Sequence, residues 1–367
     1  MCPSWYSHDR PQTRLLGGLR VEKMEEIIRV SLFLIVTSVF SFFGPALNSE
    51  SKEKAMYRKG KEIGMAVEFM DHAACAYVAR DKGWFAKEGL TLSAYESYVT
   101  GMALAAALAR GDIQVAYICL VPAINAYANA KVPLKIIAGT NRYGYGLVIN
   151  PEKIRLIQDL EKPGIRIGSV REGGAVDVLL HKVIDHYRLD AGRILQSVRR
   201  MNPPKQILAI KTGQLDAAFL PEQWATMAED FGFSMVLTAR DVWPQMQGSV
   251  LAVKQELIRD DPEIARGLVK VTQKATDWVN ERPSEASAIM ARQMSVTGEH
   301  VFPLKAGKVA ARLDITPQVL LRSMARLDYT TCIDQRTVQE TIDYLHHLGY
   351  IKKVFKAEQI LDLRFLR

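Results

Sequence analysis

Two short segments place small residues directly ahead of apolar helical stretches: Val99-Thr100-Gly101-Met102 before ALAAALAR, and Arg171-Glu172-Gly173-Gly174 before the run from Ala175 to Tyr187. Threonine suits an N-cap, and glycine lets the backbone come close to a guest. The first amides of a helix have no intrahelical partner and carry its positive end, so each segment can hold a carboxylate, sulfonate or phosphate. A tight strand-to-helix turn accounts for Gly173-Gly174 equally well. Arg171 could grip a second anionic group bidentately or form a surface pair with Glu172. Further polar and aromatic candidates close the apolar strand patterns. Asp71 and His72 follow the first, Tyr98 ends the second and Cys119 the third. In the second half Ser169 precedes the glycine turn, and Glu222 and Trp224 follow the last short run. His72 could hydrogen-bond a ligand or the backbone. Tyr98 and Trp224 could stack on a flat ring, or Trp224 on its own helix.

What is missing narrows the chemistry. There is no GxSxG, no HExxH, no P-loop and no GxGxxG after a strand, and Asp260-Asp261 sits before Pro262 where a helix cap explains it. The four cysteines, Cys2, Cys75, Cys119 and Cys332, include no CxxC pair and no metal-ligand spacing to histidine. Buried free thiols at Cys75 and Cys119, no disulfide, no metal and no cofactor are expected. The net charge of +8 is scattered, without a basic run interleaved with aromatics, which argues against nucleic acid. The expectation is a binding protein, not an enzyme.

The elements that must position these residues follow from length and patterning. At 367 residues and 48% hydrophobic, the chain predicts two lobes. Residues 30–47, VSLFLIVTSVFSFFGPAL, carry no charge and follow Arg29, as in a signal peptide, with an uncleaved anchor as the alternative. Either places the body outside the cytoplasmic membrane, and Met24 is an alternative start. From Ile63 onward short apolar runs alternate with helical patterns, predicting βα units and mostly parallel sheets. GLVIN near Gly146 begins a second series, which SMVLTA and SVLAVK complete, and from Pro262 the pattern is helical. Residues 107–118, ALARGDIQVAYI, align without gaps on residues 209–220, AIKTGQLDAAFL, predicting two lobes of like construction.

AYVARDKGWFAKEGLTL (76–92), GMALAAALARGDIQVAY (101–117), VPLKIIA (132–138), GIRIGSV and GQLDAAFL come in the order and at the spacing of a known family. The chain resembles the periplasmic solute-binding proteins of ABC importers for nitrate, sulfonates, taurine and thiamine-pyrimidine precursors, the NMT1/THI5-like group. The resemblance covers about residues 63–290 and implies an α/β, type II periplasmic-binding-protein fold: two doubly wound lobes around a hinged cleft. It places lobe 1 at 60–145 and 253–367 and lobe 2 at 146–252. It implies capture of a small anionic or heterocyclic solute for a membrane permease, by a chain expected to be monomeric. A pyrimidine-synthesising enzyme or a sensory module are the alternatives, although the clustered cysteines of the enzyme group are missing here. Val99-Thr100-Gly101 replaces the family's frequent Gly-Ser-Gly, and Pro221-Glu222-Gln223 its Glu-Pro pair, so the solute cannot be copied from a relative. In such sheets ligands meet strand carboxyl ends, which gathers the candidates named above on one cleft.

Overall fold

A computed structural model describes residues 62–301 and 315–366. The expected signal segment and Cys2 lie outside the described residues, among which no helix is long and apolar enough to cross a membrane.

The first strand, β1 (Ile63–Glu68), is buried along its whole length, as a central parallel strand covered on both faces must be. The chain continues through α1 (Ala74–Asp81), β2 (Leu92–Tyr98), α2 (Gly101–Arg110), β3 (Val115–Cys119), α3 (Leu120–Ala128) and β4 (Leu134–Arg142). After only Tyr143 and Gly144 it enters β5 (Tyr145–Ile149). Then follow β6 (Ile167–Ser169), α4 (Ala175–Tyr187), β7 (Val198–Arg200), α5 (Pro203–Lys211), β8 (Ala217–Pro221), α6 (Glu222–Glu229) and β9 (Ser234–Thr238). It returns in β10 (Gln247–Lys254) and ends in α7 (Pro262–Glu281), α8 (Pro283–Val301), α9 (Pro317–Met324), β11 (Asp328–Tyr329) and α10 (Gln335–His347).

The strands form two sheets, ordered β11-β4-β10-β3-β1-β2 and β7-β6-β8-β5-β9. Written from the other end, the first reads β2-β1-β3-β10-β4, so β3 and β8 hold the same third place in their sheets. Each lies parallel to one neighbour, β1 or β6, and antiparallel to the other, β10 or β5. The sequence echo of 107–118 and 209–220 is therefore a repeat of construction. Gly111 and Gly213 occupy the same helix-ending place, with φ of 91° and 64°, a region that favours glycine.

One assignment is corrected. SVLAVK, expected in the second lobe, lies in β10, which pairs with β3 and β4 of the first sheet. A continuous apolar run fits either sheet, and only the pairing decides. The C-terminal part is also not purely helical: β11 pairs with β4, and Leu361 bridges to Ile136.

Candidate functional site

A cavity of about 240 Å³ opens where the carboxyl ends of both sheets face each other. One wall is the start of α2, with Thr100, Gly101 and Met102; the opposite wall is the start of α4, with Gly174, Ala175 and Val176. Thr100 is the N-cap predicted from sequence: its Oγ1 accepts from the Ala103 amide at 3.3 Å, leaving the Gly101 and Met102 amides without intrahelical partners. At α4 the Asp177 carboxylate accepts from the Gly173 amide at 3.0 Å and the Gly174 amide bonds the Arg171 carbonyl at 3.1 Å. Asp177 is ion-paired to Arg200, so its charge is compensated. Arg171 lines the cavity and is exposed, with no ion pair among the described residues. The remaining walls are largely apolar: Met70, Val99, Ala106, Pro122, Tyr145, Val170, Pro203 and Pro221. A shallower opening of about 410 Å³ continues outward past Arg171, Glu172, Arg200 and Asn202.

Of the residues singled out in the sequence, the structure brings Thr100, Gly101, Met102, Cys119, Arg171 and Gly174 to the cavity and Glu172 to its outer opening. Glu172 sits 3.7 Å from Arg200 rather than pairing with Arg171. The others lie elsewhere. Gly173 faces away and its carbonyl accepts from Asn125 Nδ2 of α3 at 2.9 Å, a bond between the two lobes. Asp71 is fully buried, bonded by the Ser323 hydroxyl. His72 is used by the joint between the lobes: Nε2 meets the Gly144 carbonyl at 2.7 Å and Nδ1 the Ser249 hydroxyl at 3.2 Å. Glu222 is buried and 3.3 Å from Arg326. Trp224 packs inward against Phe69 instead of offering a stacking face. Tyr98 turns outward to Glu96, at 2.5 Å, and Ser169 is buried under the sheet. Each follows a strand as expected, but the strand end did not reveal which way the side chain turns.

Behind Cys119 lies a buried polar cluster that the sequence signalled only as one acid in the apolar run IGMAVEFM. The Cys119 thiol donates to Glu68 Oε2 at 2.7 Å and accepts from the Tyr145 hydroxyl at 2.7 Å. Burial raises the thiol well above its ordinary value, and His72 Nδ1 is 4.0 Å away, so Cys119 is not an activated nucleophile. Cys75 and Cys119 are buried free thiols and Cys332 is an exposed one.

Two facing α/β lobes of repeated topology, with helix starts converging on one cleft, define a periplasmic-binding-protein architecture. Residues 59–295 match the NMT1-like family, and the chain belongs to it. It is 24% identical over 233 residues to the nitrate/nitrite binding protein NrtA of Nostoc sp., covering 57% of this chain and 52% of that protein. It is 23% identical over 218 residues to the taurine-binding periplasmic protein of Escherichia coli, covering 58% and 65% respectively. These matches thus span about half to two thirds of the relatives' lengths. The alkanesulfonate-binding protein SsuA from Xanthomonas axonopodis pv. citri, bound to MOPS, superposes with a TM-score of 0.68 at 14% identity, covering 84% of this chain and 100% of that one.

Proposed function

We propose that this protein is the extracytoplasmic binding component of an ABC importer and that it captures a small organic anion with an apolar body. The observation that carries this is the cavity itself. Helix starts from both lobes present unpartnered amides, Arg171 adds a positive charge with no ion pair among the described residues, and the other walls are largely hydrocarbon. Its size, about 240 Å³, sits just below the roughly 300–1,000 Å³ of drug-sized ligand sites and fits a small solute.

The ligand contacts are Thr100, Gly101, Met102 and Cys119 from one lobe and Arg171 and Gly174 from the other. An anion spanning them binds better when the lobes are together than apart, and only that difference can drive closure. The lobes divide near the two crossings, with 62–143, 246–301 and 315–366 on one side and 144–245 on the other. The names of the relatives favour delivery to a permease, an extracytoplasmic location and binding without chemical turnover, as does the unreactive state of Cys119.

A thermal-shift and calorimetric panel of alkanesulfonates, taurine, nitrate, short carboxylates and alkylammonium ions tests the reading. A solute bound only by the folded chain raises the melting temperature. Short-chain sulfonates or carboxylates should give the largest shifts. A shift confined to the cationic members would overturn the anion assignment.

A further inference from the structure

We propose that Glu68 is a positioning residue that links solute capture to a proton: an anion settles at the start of α2 only while the Glu68 carboxyl is neutral. The inference rests on the anion reading of the cleft.

Glu68 ends β1 and is 1% exposed. Its Oε2 accepts from Cys119, but Oε1 has no hydrogen-bond partner. That orphan oxygen is pressed against the first residue of α2. A Cβ placed on Gly101 would lie 1.8 Å from Oε1 and 2.6 Å from Pro122 Cγ, so glycine is required there and one residue of backbone separates the carboxyl from the cavity. Gly101 and Cys119, the two residues that cover Glu68, both line that cavity.

Among the described residues no cationic side chain is recorded beside Glu68, and a negative charge there is eased only by hydrogen bonds from Cys119. From β3 it meets the Cys119 thiol, and from β5 the Tyr145 hydroxyl stands behind that thiol. From α1 the Tyr77 hydroxyl donates to the Glu68 carbonyl at 3.4 Å, and from β10 Ser249 lies 3.5 Å from Cys119. His72, 4.0 Å from Cys119, is held neutral by burial, and Asp71 beside it is acidic. Among the described residues the start of α2 is the source of positive potential beside the carboxyl, and it is the feature a solute anion would use. Two negative charges on either side of one helix turn repel, and the side that faces Glu68 is buried, where screening is weak.

Burial, only partly offset by hydrogen bonds from Cys119, raises the Glu68 carboxyl to about 7. A bound anion disfavours the charged form further, so binding takes up a proton from the buffer. The sign follows from linkage: affinity is full below about 7 and falls as pH rises through that value. The loss is at most about tenfold between pH 6 and pH 8 for one proton.

The test is isothermal calorimetry of the full chain with butanesulfonate, whose charge does not change over this range, in Bis-Tris and imidazole buffers, which are cationic or neutral and do not compete for an anion site. The wild type should weaken several-fold from pH 6 to pH 8, with binding heats that differ between buffers by a fractional proton uptake. Glu68→Gln should bind with a flat profile and no uptake, whereas Glu222→Gln, away from the cavity, should keep the wild-type slope. Buffer-independent heats in the wild type, or an unchanged slope in Glu68→Gln, would overturn the proposal while leaving the anion site standing. Failure of every sulfonate, carboxylate and nitrate to bind at any pH would overturn the anion reading and this inference with it. The two-buffer measurement needs only the wild type, so it decides even if Glu68→Gln does not fold.

Discussion

Gly174 caps α4 with an ordinary φ of −80°, but a Cβ there would lie 3.0 Å from Val170 Cγ2 and 3.1 Å from the Arg171 carbonyl oxygen, so a side chain needs a shift of a few tenths of an ångström. Gly174→Asp would put a carboxylate at the helix mouth, where the solute's own charge is expected. We predict affinity at least about tenfold weaker, with a lower melting temperature from that crowding partly offset because aspartate is itself a good N-cap. An unchanged dissociation constant would remove α4 from the site. Gly101→Ala has a different fate: its methyl would collide with Glu68 and Pro122, and overpacking of this kind costs about 1–3 kcal/mol, measurable as a lower urea midpoint. At this scale the sequence made part of the site legible. Thr100, Gly101 and Gly174 were readable because caps and tight turns demand particular residue types. Tyr145, Pro203 and Val176 were not, because an apolar wall residue looks like any core residue. Asp71 and Trp224 misled because a polar or aromatic residue after a strand turns toward the cleft or into the joint with no local signal.

The C-terminal elements do more than cover the first sheet. The α9 helix and the turn after it send Arg322 to Asp230 at 2.7 Å and Arg326 to Glu222 at 3.3 Å and Glu229 at 3.0 Å, both anchored on α6. Past α10, the Tyr350 hydroxyl donates to Asp177 at 2.5 Å and meets His181 Nε2 at 3.1 Å, while Tyr344 donates to Asp185 at 2.5 Å, all on α4. A tail rooted beside β4 thus holds the other sheet's helices at two places. Tyr350→Phe removes a hydroxyl bonded to a carboxylate, a change worth about 1.5–3 kcal/mol, and leaves the buried Asp177 with less support. We expect a lower denaturation midpoint and weaker solute binding; an unchanged value of both would show the contact to be idle. Arg322 and Arg326 are plain in the sequence, but nothing local to them names an acidic partner. The partners lie about 100 to 170 residues away, beyond any periodic pattern.

Across the whole molecule, buried ionisable groups set the pH at which the fold is strongest. Burial raises Glu68, Asp71 and Glu222 to about 7 and lowers His72 to about 4. For the three carboxyls the folded chain holds protons that the unfolded chain releases near pH 4, so their contribution is complete in acid and lost as pH rises through about 7. For His72 the contribution is present above about 6.5 and lost as pH falls toward about 4. Between about pH 4.5 and 6.5 the three carboxyls lose more than the one imidazole gains, so the net contribution of these groups should fall as pH rises from about 4.5 to about 7 and stay level above it, and Glu222→Gln should make that fall less steep in a melting-temperature series. A melting temperature that climbs steadily from about pH 4.5 to about pH 7 would contradict this balance. The two-lobed plan was legible because duplicated helix-glycine-strand units are local patterns. The sheet that β10 joins was not, since pairing is decided by partners far along the chain. The crossing between the sheets has one more outcome. Tyr143, at φ 61°, reaches with its hydroxyl to the carbonyl of Pro244 in the turn before the returning strand, at 2.7 Å. That bond ties the outgoing and incoming crossings to each other, beside the ties that the tail already makes between the halves. Parting the halves therefore has to break contacts at several places at once, and cutting one of them with Tyr350→Phe should broaden the distance distribution between a pair of dyes across the rim.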